Sequence, residues 1–220
     1  MNPHAPIRNV TSLRDLKNLI RSGEGLLLEF KRAISSPEKI AREIAAFANT
    51  NGGHLIIGVD DDHAITGVES YHEQDFYLEQ AAHDLCTPAL TYHMEVIPYY
   101  HREILLVYIE ESPVKPVTVQ NGVRDAVYVR INDQSTRASE EMTEVMRSRS
   151  SGRGVNFHYG ANEQKLFRYL NEYPNITVDQ YSSLADINRK QASRILIDLT
   201  SLGVLRLFKK NQTDLFTLSV

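Results

Sequence analysis

The sequence predicts an α+β fold in two parts, a larger domain built on a mixed sheet and a smaller, mainly helical domain at the C-terminal end. Residues 24–67 alternate between strand-like and helix-like apolar periods, which indicates strands and helices packed in layers. Residues 92–131 carry two hairpin patterns, the second around the turn signal Asn121-Gly122. Residues 161–218 contain three amphipathic helical patterns and a further hairpin.

The first domain is expected to cover residues 1–147. Residues 1–10 have little pattern and predict a partly ordered arm. We expect the following elements in chain order: a helix at 12–22, a strand at 26–31, a helix from Pro37 to about Asn49, strands at 55–59 and 64–68, a helix at 73–85, strands at 92–99, 103–110, 116–120 and 126–131, and a closing helix at 139–147.

The first strand and the helix after it have the clearest local signals. Leu28 and Phe30 alternate with Glu29 and Lys31, which predicts a strand with one polar face. Ser36 precedes Pro37 at a position that suits an N-cap. A stretch rich in Asn and Gly, residues 49–53, is expected to end the helix because these residues tolerate a left-handed backbone.

A segment rich in serine, glycine and arginine predicts a linker at residues 148–160. Beyond it, residues 161–220 form the second domain, with helices expected at 162–172, 177–185 and 189–202 and a hairpin at 204–218. Three helices followed by a hairpin in this order are typical of a winged helix-turn-helix.

In such a domain the third helix enters the DNA major groove and its outer face contacts base edges. Arginine and lysine pair with guanine, and asparagine and glutamine with adenine. The lysines of the hairpin suit the phosphate backbone. The predicted nucleic-acid-binding residues of this domain are Asn188, Arg189, Lys190, Gln191, Ser193, Arg194, Lys209 and Lys210. The alternative is that the winged helix is used only for dimerisation and that these residues are merely solvated.

Several motifs of the first domain together resemble a known family. They are Glu24-x4-Glu29-Phe-Lys31, Ala46-Phe-Ala-Asn-Thr50, Gly52-Gly53, Gly58-Val59-Asp60-Asp61, Lys115-Pro116, Tyr128-Val-Arg130 and Ser135-Thr136. This set resembles the AlbA_2 domain, also called the Schlafen AlbA_2 or divergent AAA-4 domain, over roughly residues 15–147. The resemblance implies a mixed α+β domain that takes part in nucleic-acid binding or regulation.

The Schlafen branch of that family implies a second chemistry. There, two glutamates and an aspartate form a nuclease centre, and the matching residues are Glu24, Glu29 and either Asp60 or Asp61. Three carboxylates at strand ends could hold Mg²⁺ or Mn²⁺ and activate water. Lys31 would then hold a phosphate. The alternative is an ion pair between Glu29 and Lys31 and ordinary turn aspartates.

Other function classes have weaker support. The chain lacks the G-x-x-x-x-G-K-[ST] motif of nucleotide hydrolases. Its single cysteine, Cys86, excludes a disulfide within the chain and a cysteine-based zinc site such as Schlafen proteins carry, and its apolar, helical context predicts a buried thiol. The histidines are scattered without metal-ligand spacing. No apolar run approaches a membrane span, and no signal peptide is evident, which predicts a cytoplasmic location.

The function that we predict from the sequence is DNA-binding transcription regulation. The C-terminal domain would contact DNA, and the larger domain would dimerise the chain and add a further nucleic-acid contact, without a cofactor. Residues 1–160 hold 16 Lys and Arg against 22 Asp and Glu, whereas residues 161–220 hold 8 against 6. Two alternatives stay open, a metal-dependent ribonuclease and a scaffold without nucleic acid, and RNA is the alternative partner.

Overall fold

The computed structural model describes residues 13–122, 124–151 and 159–219. The chain divides into two compact units, one ending at Ala138 and the other beginning at Ser139. The arm expected at residues 1–10 and most of the expected linker lie outside the described residues.

Over residues 13–122 and 124–138, the first unit is an α+β structure with two four-stranded sheets, which confirms the predicted class. Its elements are α1 (Leu13–Arg21), β1 (Leu28–Lys31), α2 (Pro37–Asn49), β2 (Gly53–Ile57), α3 (Tyr71–Glu79) continued by a π-helical segment (Gln80–Leu85), β3 (Cys86–Thr87), β4 (Tyr92–Tyr99), β5 (Arg102–Ile109), β6 (Thr118–Val119), β7 (Ala126–Ile131) and β8 (Gln134–Arg137). The first sheet has the order β1-β2-β5-β4 and is mixed, because β1 and β2 are parallel and the other pairs antiparallel. The second, β3-β6-β7-β8, is antiparallel.

Helix α2 is the central element of this unit. It contacts β5 of the first sheet and β6, β7 and β8 of the second, so it packs between them. Its C-terminal half, from Ile44 to Asn49, is buried on every side. Ser36 caps its start, as predicted, by accepting a hydrogen bond from the Lys39 amide. On the opposite face of the first sheet, α1 contributes Leu16 and Ile20 to a second apolar cluster.

The end of α2 is joined to the second sheet by a buried amide. Asn49 donates hydrogen bonds from Nδ2 to the carbonyl oxygens of Val117 and Tyr128, at 2.8 and 2.9 Å, and accepts one from the Val117 amide at 2.7 Å. The turn that follows needs glycine. Gly52 has a φ of +69°, and a Cβ on Gly53 would lie 2.3 Å from the Phe47 ring.

The structure corrects several local expectations. The segment 64–68 forms only isolated bridges rather than a strand. Strands β3 and β8, which the sequence analysis does not include, complete a second sheet. Cys86 is buried, as predicted, but begins β3 instead of lying in a helix. The predicted polar face of β1 is wrong, because Glu29 is buried against Arg130.

Within residues 139–151 and 159–219, the second unit contains four helices and one hairpin. Its elements are α4 (Glu140–Ser150), α5 (Ala161–Glu172), α6 (Val178–Ala185), α7 (Arg189–Ser201), β9 (Leu205–Lys210) and β10 (Thr213–Leu218). Ile176, between α5 and α6, forms a single antiparallel bridge with Phe216 of β10. Tyr181, Leu196 and Phe216 are the centre of its apolar core.

Helix α4 packs along α7. The structure therefore groups α4 with the second unit, whereas the sequence analysis places residues 139–147 with the first. Helix α4 also continues to Ser150, three residues beyond the expected end. Among residues 13–122, 124–151 and 159–219, no helix combines the length and the apolar character needed to cross a lipid bilayer.

Burial of His54 makes the stability of the first unit depend on pH. Its imidazole lies in β2, packed 4.8 Å from the Tyr108 ring, and burial lowers its pKa from 6.5 to about 4. Between these values the unfolded chain binds more protons than the folded one. The stability that the neutral His54 side chain contributes is therefore fully present above pH 6.5. It is lost as the pH falls toward 4, which lowers the free energy of unfolding by about 3 kcal/mol.

Chemical denaturation of the His54→Phe variant between pH 4 and 7 tests this. The variant should lose most of the pH dependence that wild type shows in that range. His101→Gln is the matched control, since His101 is exposed in the turn between β4 and β5 and its loss should leave the slope unchanged. Equal slopes in wild type and His54→Phe would contradict the expectation.

Candidate nucleic-acid interface

Helix α7 is the third helix of the predicted helix-turn-helix, the one expected to contact base edges. Two local features fix its start. Asp186 adopts a left-handed conformation, with φ of 56°, and ends α6. Asn188 then caps α7, because its side-chain oxygen accepts a hydrogen bond from the Gln191 amide at 2.9 Å. Asn188 was predicted to contact bases, but in the structure its side-chain oxygen is engaged in capping.

Three predicted contact residues, Lys190, Gln191 and Arg194, are exposed on α7. They lie away from the buried stripe formed by Ala192, Leu196 and Leu199. The Arg194 side chain is 64% exposed and pairs with Asp198 one turn later, at 3.1 Å. Exposed i,i+4 pairs contribute only about 0.3–0.5 kcal/mol, so a phosphate or base could replace Asp198 as the partner.

The other two predicted residues, Arg189 and Ser193, contact α4 instead. Both donate to Oε1 of Glu141, Arg189 from Nη1 at 3.4 Å and Ser193 from Oγ at 3.2 Å. Glu141 is nearly buried by this arrangement. Arg189 also pairs with Asp179 of α6 at 3.1 Å. These two side chains are therefore engaged with acidic residues of their own unit.

Further along, the same face of α7 is covered by α4. Arg149 donates from Nη2 to the carbonyl oxygen of Thr200 at 2.8 Å. Val145 of α4 and Ile197 of α7 are both buried. Polar bonds therefore join α4 and α7 at both ends of their contact.

The predicted hairpin lysines lie at the end of β9. The turn is Asn211-Gln212, and both residues have positive φ. Lys210 is exposed beside it, whereas Lys209 is half-buried and lies across the hairpin from Asp214. Of the two, Lys210 is the more available to a phosphate.

In the first unit, Glu29 and Lys31 form the ion pair that the sequence analysis considers as one alternative. Glu29 is also held by Arg130, whose Nη1 lies 2.8 Å from Oε2. Arg130 further contacts Glu43 at 3.4 Å and the Gly25 carbonyl oxygen at 2.6 Å. No part of its side chain is exposed to solvent.

The other two carboxylates of the nuclease hypothesis bind backbone groups. Glu24 accepts a hydrogen bond from the Phe30 amide at 2.8 Å. Asp60 accepts from the amides of Asp62 and Ala64 and so closes a turn. Among the described residues, no group of three His, Cys, Asp or Glu side chains is placed to hold a metal ion.

Sequence reasoning missed the side chains that organise both regions. Arg130, Glu43 and Glu141 were not singled out as site residues. The partners of Arg130 are 87 and 101 residues away in sequence, so no local pattern indicates them. Two signals were available for Arg130, its charge within the otherwise apolar strand Ala126–Ile131 and its place in the family motif Tyr128-Val-Arg130.

Comparisons with known proteins find a family match and a curated relative. A family model described as Schlafen, AlbA_2 matches residues 24–139. An uncharacterized ATP-binding protein from Ureaplasma parvum is 25% identical over 135 residues, which are 53% of this chain and 38% of that protein. The chain thus spans less than two fifths of this curated relative.

Two solved structures are also similar to part of this chain. The N-terminal domain of a RecG-related protein from Nitrosomonas europaea is 24% identical with a TM-score of 0.43, over 57% of this chain and 92% of that one. The DIP2311 protein from Corynebacterium diphtheriae is 20% identical with a TM-score of 0.43, over 59% of this chain and 29% of that one.

The buried Arg130 network makes a prediction for stability. Arg130→Ala leaves Glu29 buried without its main partner, which should lower the free energy of unfolding by about 3–5 kcal/mol. Urea denaturation of wild type and variant measures this. The control is Lys17→Ala, an exposed cation on α1, which should stay within about 0.5 kcal/mol of wild type. A loss below about 1 kcal/mol for Arg130→Ala would contradict the expectation.

Proposed function

The chain belongs to the Schlafen AlbA_2 family, and from this premise we propose that it is a DNA-binding transcriptional regulator whose second unit is a winged helix. The observation that carries the proposal is the exposed face of α7, where Lys190, Gln191 and Arg194 lie together next to the capped helix start. Lysine, glutamine and arginine are the side chains that contact bases and phosphates in the major groove.

The order of elements in the second unit supports this proposal. Helices α5, α6 and α7 precede the β9–β10 hairpin, and the bridge from Ile176 to Phe216 ties the segment between the first two helices to that hairpin. In a winged helix, this arrangement makes the third helix protrude from the core and places the hairpin beside it. Lys210 at the hairpin end would then contact a phosphate.

We further propose that the protein acts as a homodimer. One recognition helix reads few base pairs, and a two-fold dimer places two of them on half-sites about 34–36 Å apart. The AlbA_2 unit would hold the two copies together. The nuclease alternative is less favoured, because Glu24 and Asp60 accept hydrogen bonds from backbone amides and belong to no group of three possible metal ligands among the described residues.

Helix α4 adds a constraint to DNA entry. A helix with its side chains is about 10–12 Å across, and the major groove is about 12 Å wide. One helix fits into the groove, but two packed side by side do not. In the observed arrangement α4 therefore limits how deeply α7 enters, and Glu141 holds Arg189 away from phosphate.

The proposal is tested by the salt dependence of binding to duplex DNA. Fluorescence anisotropy of labelled duplexes should show salt-sensitive binding by wild type. The Lys190→Ala/Arg194→Ala variant should bind about tenfold or more weakly and with a shallower salt slope, since each lost phosphate contact reduces it by about 0.9.

The matched control is Arg14→Ala/Lys17→Ala, which removes the same charge from the exposed face of α1. It should bind DNA as wild type does. Structured RNA is titrated in parallel, and gels with Mn²⁺ present show whether the nucleic acid stays intact. Equal losses in the two variants, or preferential binding and cleavage of RNA, would overturn the proposal.

The α4 contact yields a separate prediction. Glu141→Gln weakens the hold on Arg189 and should raise DNA affinity about threefold or more relative to Glu140→Gln. Both changes remove one negative charge from the first turn of α4, but Glu140 is exposed and has no hydrogen bond to α7 among the described residues. Equal affinities of the two variants would show that α4 does not restrain α7.

A further inference from the structure

The first sheet ends in an open edge at β4 (Tyr92–Tyr99), the outermost strand in the order β1-β2-β5-β4. This strand has 8 residues, and among the described residues no strand pairs with its outer side. The opposite edge is different, because the Phe30 amide of β1 already binds the Glu24 carboxylate. The edge strands of the second sheet, β3 and β8, have only 2 and 4 residues. A long open edge is a template for pairing with another strand.

The backbone groups that face this open edge follow from the pairing of β4 with β5. Glu103 of β5 uses its carbonyl oxygen and its amide to bond Val68, at 2.7 and 3.0 Å, on the side away from β4. Pro98 lies opposite Glu103 in the register, so its own backbone groups point away from β5. A proline is tolerated there because it has no N–H to donate. By the same alternation, the N–H groups at the open edge belong to Tyr92, Met94 and Val96.

The side chains of β4 determine how the strand can pair with a second copy of itself. His93 and Glu95 are both exposed on the same face of the sheet. A two-fold axis at Met94 would place His93 of each copy directly opposite Glu95 of the other. The Cβ atoms of such opposed residues are about 4.5–5.5 Å apart, so the imidazole N–H can donate to the carboxylate. An axis at Glu95 would instead place two carboxylates opposite each other, which is destabilising.

The register centred on Met94 also uses every outward N–H group of the strand. Met94 would exchange both backbone hydrogen bonds with Met94 of the second copy, and Tyr92 would do so with Val96. Pro98 lies beyond the paired residues and has nothing to donate. An axis at Val96 would instead oppose Pro98 to Met94 and lose a bond at each end. The exposed Val96 side chain would be covered by Tyr92, whose hydroxyl is held by Asp75 at 2.7 Å.

We propose that β4 is a dimer interface, at which the β4 strands of two copies of this chain pair antiparallel about a two-fold axis at Met94. The two 4-stranded sheets then form one continuous sheet across the axis. The inference rests on the homodimer proposed above and names the surface that joins its copies. A two-fold contact is self-complementary, so the assembly closes at two copies and leaves no free β4 edge.

Disulfide cross-linking of the full chain tests the register. Directly opposed residues of a hydrogen-bonded antiparallel pair have Cα atoms about 5.5 Å apart, within the range of about 4.4–6.8 Å that a disulfide spans. Met94→Cys should therefore form a covalent dimer on mild oxidation, visible on a non-reducing gel. Val96→Cys is the matched control, because its counterpart in the second copy lies about 13 Å away along the strand. It should give no more dimer than wild type, whose Cys86 is buried.

Sedimentation velocity tests the charge pairing. Glu95→Lys should raise the dissociation constant of the dimer about tenfold or more, because both pairs across the axis are lost. The swap His93→Glu/Glu95→Lys again places a carboxylate opposite a cation and should return the constant to within about threefold of wild type. Asp133→Lys makes the same charge change in the exposed turn between β7 and β8 and should leave the dimer unchanged. Circular dichroism establishes that each variant is folded.

The outcomes separate this inference from the proposed function. A wild-type dimer that Glu95→Lys leaves unchanged, or that cross-links through Val96→Cys but not through Met94→Cys, overturns the β4 pairing and leaves the proposed homodimer standing. A wild-type chain that is monomeric at every concentration overturns both. A dimer that cross-links through Met94→Cys but binds no duplex DNA supports the β4 pairing and overturns the regulator function.

Discussion

The first unit depends on a guanidinium charge that has no access to water. Arg130 lies over the Phe47 ring, 4.7 Å from its centre, and its charge is balanced by carboxylates from β1 and α2. A buried charge is tolerated only when its partners are fixed around it. The need to satisfy Arg130 therefore holds β1, α2 and β7 in one arrangement, across both sheets. It also engages the carboxylates of Glu29 and Glu43.

The motif by which the chain resembles its family is largely explained by packing. Asn49 joins α2 to the second sheet through three hydrogen bonds, and the Thr50 hydroxyl accepts from the Arg130 amide at 2.9 Å. Gly53 lies where a side chain would overlap the Phe47 ring. Lys115 binds the Thr50 carbonyl oxygen at 2.9 Å. These residues specify how α2 fits between two sheets, which is a property of the fold.

Much of the secondary structure could be predicted because its signals are local. Ser36 and Pro37 mark the start of α2, and the long hairpin β4–β5 follows from alternation of apolar residues. The two-residue strand β3 and the polar strand β8 have no such pattern, so the second sheet was incomplete in the prediction. Contacts between distant segments could not be predicted either, because they leave no local pattern in the sequence. Glu141 resembles any acidic residue in a first helical turn, and only tertiary packing brings it to Arg189.

The assignment of α4 to the second unit has a consequence for dissecting the protein. The family match ends at residue 139, one residue before α4 begins. A C-terminal fragment started at Ala161 would lack α4, which packs along α7 and donates the Arg149 hydrogen bond to the Thr200 carbonyl oxygen. A fragment started at Ser139 keeps α4 together with its capping serine. The natural cut between the two halves of this chain is therefore before α4.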